Sequence, residues 1–179
     1  MRSDVFLGIK LVLFDVDGVL TNGDIYIDQS GEFYKQFNVK DGVSVALLKK
    51  HGIKTGVISG KHSDALVKRC EQLKLDIVVT GCHTKPAALD KILSEHGLTA
   101  ENIVFVGDDV IDVAVMRRVA IAYAPADAHV LAKQVADVVT SSKGGEGVAR
   151  EVAEHILQGR GLTLDEVYAP LIQEWDQTE

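Results

Sequence analysis

One stretch limits the possible folds more than any other: residues 11–22, LVLFDVDGVLTN. Leu11, Val12, Leu13 and Phe14 form an unbroken apolar run, the pattern of a strand covered on both faces in a parallel sheet. Asp15 and Asp17 then sit at its carboxyl end, the edge of an open α/β sheet where ligands bind. Side chains two apart along an extended chain point the same way, so both carboxylates address one crevice. Two acids that close repel unless a cation or a shared proton lies between them, which points to a metal or to a division of acid and base roles. A strand-end turn that uses Asp only as a turn former is the alternative on these residues alone.

The rest of the chain continues that rhythm with one interruption. Residues 22–42 alternate polar and apolar around a Gln29-Ser30-Gly31 turn and read as a β-hairpin over about 23–38, with Phe33, Lys35 and Phe37 on one face and Tyr34 and Gln36 on the other. A two-stranded ribbon is marginal alone, so its aromatics are expected to pack on another protomer. From Val43 a helix runs to Gly52, and IKTGVISG is a second buried strand. Ser63 is an N-cap for a helix with Leu66, Val67, Cys70 and Leu73 at helical spacing. DIVVTG, NIVFVGDD, and the segments 120–122 and 137–140 supply further strands. Pro86 opens one intervening helix, and Thr163 with Glu166 forms a capping box at the head of a tail over about 160–179 that holds Leu171, Ile172 and Trp175. Strands alternating with short helices predict an α/β fold with one doubly wound parallel sheet, residues 1–179 as a single domain.

Composition narrows the class of function. A net charge of −7 argues against a nucleic-acid partner, and an anionic substrate would need a local basic cluster. No run reaches membrane-spanning length, and the start MRSDVFLGIK has neither a long apolar region nor a small-residue cleavage site. Cys70 and Cys82 make no disulfide framework and lack metal-ligand spacing, so a cytoplasmic setting is expected.

Three more strand ends deliver polar groups. VISG ends in Ser59, TGCHTK leads to Lys85 at a helix start, and VFVGDDVID ends in Asp108 and Asp109 with Asp112 one turn on. With DVDGVLT, these four motifs in this order resemble those of the haloacid dehalogenase superfamily, over residues 11–150. The resemblance implies that Asp15 is the nucleophile that takes up a phosphoryl group and Asp17 the general acid/base. It also implies that Ser59 and the N–H of Gly60 grip the phosphoryl oxygens and that Lys85 balances their charge. A Mg²⁺ ion would be held by Asp15, the backbone carbonyl of Asp17 and Asp108, with Asp109 binding an outer water or holding Lys85. Elementary chemistry agrees: phosphoryl transfer is mostly positioning and charge neutralisation, and Mg²⁺ takes oxygen ligands while keeping waters. Asp112 is open between a helix-surface residue and a support behind the ligands.

Between Asp17 and Ser59 there is room for little more than a hairpin and a helix, so no cap domain fits and the site should be open. The hairpin, FNVKDG, SGK, GDDVID and GGEGVARE closely resemble the capless 3-deoxy-D-manno-octulosonate 8-phosphate phosphatase subfamily. That subfamily implies a Mg²⁺-dependent cytoplasmic homotetramer of lipopolysaccharide sugar biosynthesis, protomers completing each other's sites through hairpin and tail. Substrate contacts carried over by matching positions are Asp17, Asn38, Val39, Lys40, Asp41, Gly42, Ala46, Gly60, Lys61, Arg69 and Lys85, with Lys40, Lys61 and Arg69 supplying charge for an acidic sugar phosphate. Lys61 departs from the arginine usual there, and a point ammonium cannot copy a bidentate guanidinium. The GGEG loop, rather than GGRG, is compatible with a related branch acting on 2-keto-3-deoxy-nononate 9-phosphate. A noncatalytic oligomeric scaffold would lack some catalytic residue, and all are present. A phosphomutase would need a cap to shield its intermediate from water.

Overall fold

The structure is a computed structural model that describes residues 3–29 and 31–177. Its centre is a six-stranded sheet, entirely parallel, in the order β5-β4-β1-β6-β7-β8. The strands are β1 (Leu11–Phe14), β4 (Lys54–Ile58), β5 (Ile77–Val79), β6 (Ile103–Val106), β7 (Ile121–Ala124) and β8 (Val138–Val139). This bears out the doubly wound α/β expectation. The chain winds from β1 outward through β4 to β5, then returns to the other side of β1 for β6, β7 and β8. The direction reverses between β1 and β6, and at such a point the flanking loops part to leave a crevice at the carboxyl edge. Asp15 follows β1 and Asp108 follows β6.

Alternation along each strand divides the core. Val12, Phe14, Val57, Val104 and Val106 face one apolar layer, shared with α2 (Val39–Lys50), α3 (Asp64–Leu73), α7 (Val148–Gly159) and α8 (Leu164–Asp176). Leu11, Leu13, Ile58, Ile103 and Phe105 face the other, against α4 (Lys85–His96), α5 (Val113–Met116) and α6 (Val130–Val135). Both faces are therefore dry, which is why β1 and β6 read as continuous apolar runs. Ser63 caps α3 by accepting from the Leu66 N–H, and the Thr163–Glu166 capping box opens α8, as the sequence predicts.

Three elements differ from expectation. A short helix, α1 (Ser3–Gly8), precedes β1 and buries Phe6 against α7. α2 begins at Val39, four residues before Val43, because Asn38 caps it through the Lys40 N–H. The tail is a full helix whose Val167 and Leu171 are buried against the protein's own core, which leaves its outer residues, Leu164, Ile172 and Trp175 among them, for a neighbour. The hairpin is present as β2 (Tyr26–Asp28) and β3 (Gly31–Tyr34), with Tyr26 stacked on Tyr34 at 4.3 Å. Its Ser30 lies outside the described residues. Among the described residues, only this hairpin and α2 lie between β1 and β4, and no cap domain is inserted.

The loop 144–147 packs on the turn after β1. A side chain at Gly144 would overlap the Gly18 carbonyl, and one at Gly145 would press on the backbone of Thr21 and Asn22. Gly145 N–H donates to the Val19 carbonyl at 3.0 Å, and the Asn38 amide donates to the Gly145 carbonyl at 3.0 Å. Gly144→Ala must move backbone to fit, so it is expected to cost about 1–3 kcal/mol of unfolding free energy, read by urea denaturation.

Candidate active site

Three strand ends, those of β1, β4 and β6, converge on one cleft of about 270 Å³, lined among others by Asp15, Asp17, Ser59, Gly60, Lys61, Asp108 and Asp109. Asp15 is 5% exposed and its N–H donates to the Val106 carbonyl, which locks the first residue past β1 to β6. Gly18 turns the chain at φ +93°, where a Cβ would overlap the Asp108 carboxylate; the turn therefore needs glycine both for its backbone and for space. Ser59 is buried, its N–H tied to the Val79 carbonyl and its Oγ accepting from the Lys61 N–H at 3.2 Å. That arrangement leaves the hydroxyl hydrogen for a ligand oxygen.

The electrostatic centre is Lys85, the first residue of α4. Its buried Nζ lies 2.7 Å from Asp15 Oδ1 and 2.6 Å from Asp112 Oδ1. Burial disfavours the ammonium, but the two carboxylates outweigh it and hold the lysine's pKa above its ordinary value. Asp112 is fully buried, and its second oxygen accepts from the N–H groups of Asp108 and Asp109. It therefore supports the loop that carries Asp108, one of the two roles the sequence left open. Gly107 makes room for it, since a Cβ there would collide with the Asp112 side chain. Lys85 takes Asp15 and Asp112 as partners rather than Asp109, whose exposed carboxylate accepts from the Val110 N–H.

Carboxylates of Asp15, Asp108 and Asp112 offer oxygens within 4.8 Å of one another. Burial, reinforced by neighbouring acids, pushes Asp15 up to about 6 and Asp108 up to about 8, with Lys85 opposing both. Among the described residues, Asp108 Oδ1 has no hydrogen-bond partner although it is buried. Crowded acids and an orphaned buried oxygen are what a hard divalent cation relieves, so the residues present fit one. Asp112 is committed to Lys85 and to two backbone N–H groups, so Asp15 and Asp108 are the carboxylates open to the ion. Neither Asp17 nor Asp109 belongs to that group of three.

The remaining expected contacts separate. Lys61 is exposed and borders the cleft with Gly60. Arg69 sits over the Phe37 ring at 5.8 Å and donates to the Asn38 carbonyl, while Val39 and Lys40 are exposed. Gly42 and Ala46 line a different groove, between α2, the end of α3 and α8, so the structure does not bring them into the cleft. Asp41 is also turned away from it: the residue is 3% exposed and its carboxylate accepts from the Ala149 N–H at 3.1 Å, capping α7 from another helix. Sequence reasoning passed over Lys35, whose buried Nζ lies 2.6 Å from Asp17 Oδ1. The available signal was a lysine on the same face of the hairpin pattern as Phe33 and Phe37.

Known proteins resemble this chain in sequence and in fold. The profile of the haloacid dehalogenase-like hydrolases matches residues 58–152. The 3-deoxy-D-manno-octulosonate 8-phosphate phosphatase of Escherichia coli K12 is 39% identical over 158 residues, 88% of this chain and 84% of that protein. The cobalt-bound deoxy-D-mannose-octulosonate 8-phosphate phosphatase of Haemophilus influenzae superposes with a TM-score of 0.85 at 36% identity, covering 88% of this chain and 92% of that one. The Moraxella catarrhalis 3-deoxy-D-manno-octulosonate 8-phosphate phosphatase, solved with magnesium, phosphate and the octulosonate sugar, gives 0.87 at 28% identity and 97% coverage of both chains.

Two tests follow from the geometry. Lys85→Met leaves the buried Asp15 and Asp112 without their cation and should cost about 3–5 kcal/mol of stability in chemical denaturation. Asp41 is pushed up to about 6, chiefly by burial. A carboxyl whose folded pKa is raised favours the native state most below its unfolded value, and that benefit is lost as pH rises through the folded value. The melting temperature of Asp41→Asn should therefore gain on that of the parent chain between about pH 4 and pH 7.

Proposed function

Because this chain belongs to the haloacid dehalogenase-like hydrolases, and among them to the 3-deoxy-D-manno-octulosonate 8-phosphate phosphatases, we propose that it hydrolyses that octulosonate phosphate to the free sugar acid and phosphate. The carrying observation is Asp15 at the switch point, held by Lys85 at 2.7 Å and facing the cleft shared with Ser59 and Asp108.

In the first half-reaction Asp15 attacks phosphorus, an O–P bond forms to its carboxylate, and the bond from phosphorus to the sugar oxygen breaks. Asp17 donates a proton to that oxygen as it leaves. Water then attacks the aspartyl-phosphate, Asp17 takes a proton from it, and the O–P bond to Asp15 breaks. Ser59 and the Gly60 N–H bind the phosphoryl oxygens, and Lys85 orients the nucleophile while offsetting charge. Mg²⁺, held by Asp15, Asp108 and the Asp17 carbonyl with Asp109 at an outer water, would neutralise the phosphate and permit its approach to the acids.

Lys40, Lys61 and Arg69 are our candidates for the sugar carboxylate, on the positive charge they supply. Among the described residues, no helix is long and apolar enough to cross a membrane. Assembly as a homotetramer is supported by the hairpin's Ile25 and Ile27 and the outer face of α8, all exposed in one protomer. A nononate 9-phosphate is the second reading, supported by Lys61 bordering the cleft where a guanidinium is usual in the octulosonate enzymes.

Phosphate release from octulosonate 8-phosphate, nononate 9-phosphate and hexose phosphates distinguishes these readings. We expect the octulosonate ester to lead by a hundredfold or more in kcat/KM, about 2.7 kcal/mol of transition-state discrimination. Chelation of Mg²⁺ and Asp15→Asn should each abolish turnover. A nononate ester in the lead would select the second branch, and equal slow hydrolysis of every ester would remove the substrate assignment.

A further inference from the structure

Asp17 and Asp15 reach the same cleft, but they are held differently. Asp15 is nearly covered and locked by Lys85. The Asp17 side chain is 22% exposed, and on an open turn a carboxylate of that kind rotates freely unless something takes hold of it. Lys35 supplies the hold. Its side chain is 1% exposed, so the ammonium has left water, and Nζ meets Asp17 Oδ1 at 2.6 Å. Removing a charge from water is costly unless a partner and good geometry return the loss, so this contact is not an incidental surface pair.

We infer that Lys35 is a positioning residue for proton transfer, fixing the Asp17 carboxyl through Oδ1 so that Oδ2 alone carries the proton to and from the reacting oxygen. An ammonium has only donors, so the oxygen it meets must act as acceptor whether Asp17 is ionised or protonated. The transferable proton then sits on Oδ2 in the acid form, and Oδ2 receives the proton of water in the second half-reaction. Lys35 directly follows β3, so the hairpin sets the orientation of the acid/base group as well as offering an outer face. The inference rests on the acid/base role proposed for Asp17.

The leaving group tests it. An alkyl phosphate needs a proton on its departing oxygen, whereas p-nitrophenolate departs without one. A well-placed general acid is worth about 10²–10⁴-fold on the ester that needs it. Lys35→Met and Lys35→Gln would be compared with the parent chain in single-turnover measurements with Mg²⁺, on a sugar phosphate and on p-nitrophenyl phosphate. We expect the first-step rate on the sugar phosphate to fall about a hundredfold or more, and that on p-nitrophenyl phosphate to fall less than about fivefold, with KM little changed. Equal losses on both esters in whichever variant folds would make Lys35 merely structural and overturn the inference, as would no loss on either. Asp17→Asn separates the two levels. If it hydrolyses the sugar phosphate like the parent, the acid/base reading fails; if it is inactive while the Lys35 variants are not, only the positioning role fails.

Discussion

One buried ammonium holds the cleft together. Lys85 bridges Asp15 and Asp112, and through Asp112 its influence reaches the backbone N–H groups of Asp108 and Asp109. A single charge thus ties the ends of β1 and β6 to the start of α4. Placing acids this close in a dry crevice is unfavourable, as the raised pKa values of Asp15 and Asp108 record. The fold tolerates them because the lysine is fixed at a helix start and because a divalent ion fits the remaining oxygens. The same crowding that burdens the free protein makes the site able to receive a metal and then a phosphate.

Much of this was legible in the sequence because the signals were local. Each polar group of the cleft ends an apolar run, and a parallel sheet delivers all such ends to one edge. Helix caps at Ser63 and Thr163 also announced themselves by spacing. What was hidden depended on contacts between distant segments. α1 is short and gains its place from Phe6 meeting α7, a contact no local periodicity reports. The start of α2 is hidden because the Asn38 cap is one polar residue in a loop rich in them.

The residues around Asn38 show the limit of transferring roles by position. Asn38 caps α2 and reaches the Gly145 carbonyl, and Asp41 caps α7. Both side chains are occupied in joining α2 to the segment around residue 147, so their nearness to the cleft in sequence does not by itself make them substrate contacts. Lys35 shows the converse: a charged residue in an exposed-looking hairpin is buried on a carboxylate that only the tertiary fold brings near.

The loop 144–147 lies late in the chain yet forms the backing of the turn that follows the first strand. That separation has a consequence for how the protein is made. A nascent chain that has emerged only as far as Asp109 already contains Asp15, Ser59, Lys85 and Asp108, but the turn after β1 has nothing behind it. Local contacts cannot complete the cleft, and closing so long a loop is slow relative to forming helices. Competence for chemistry thus arrives as a late event of synthesis, and a truncated product carries every catalytic side chain without the support that aligns them.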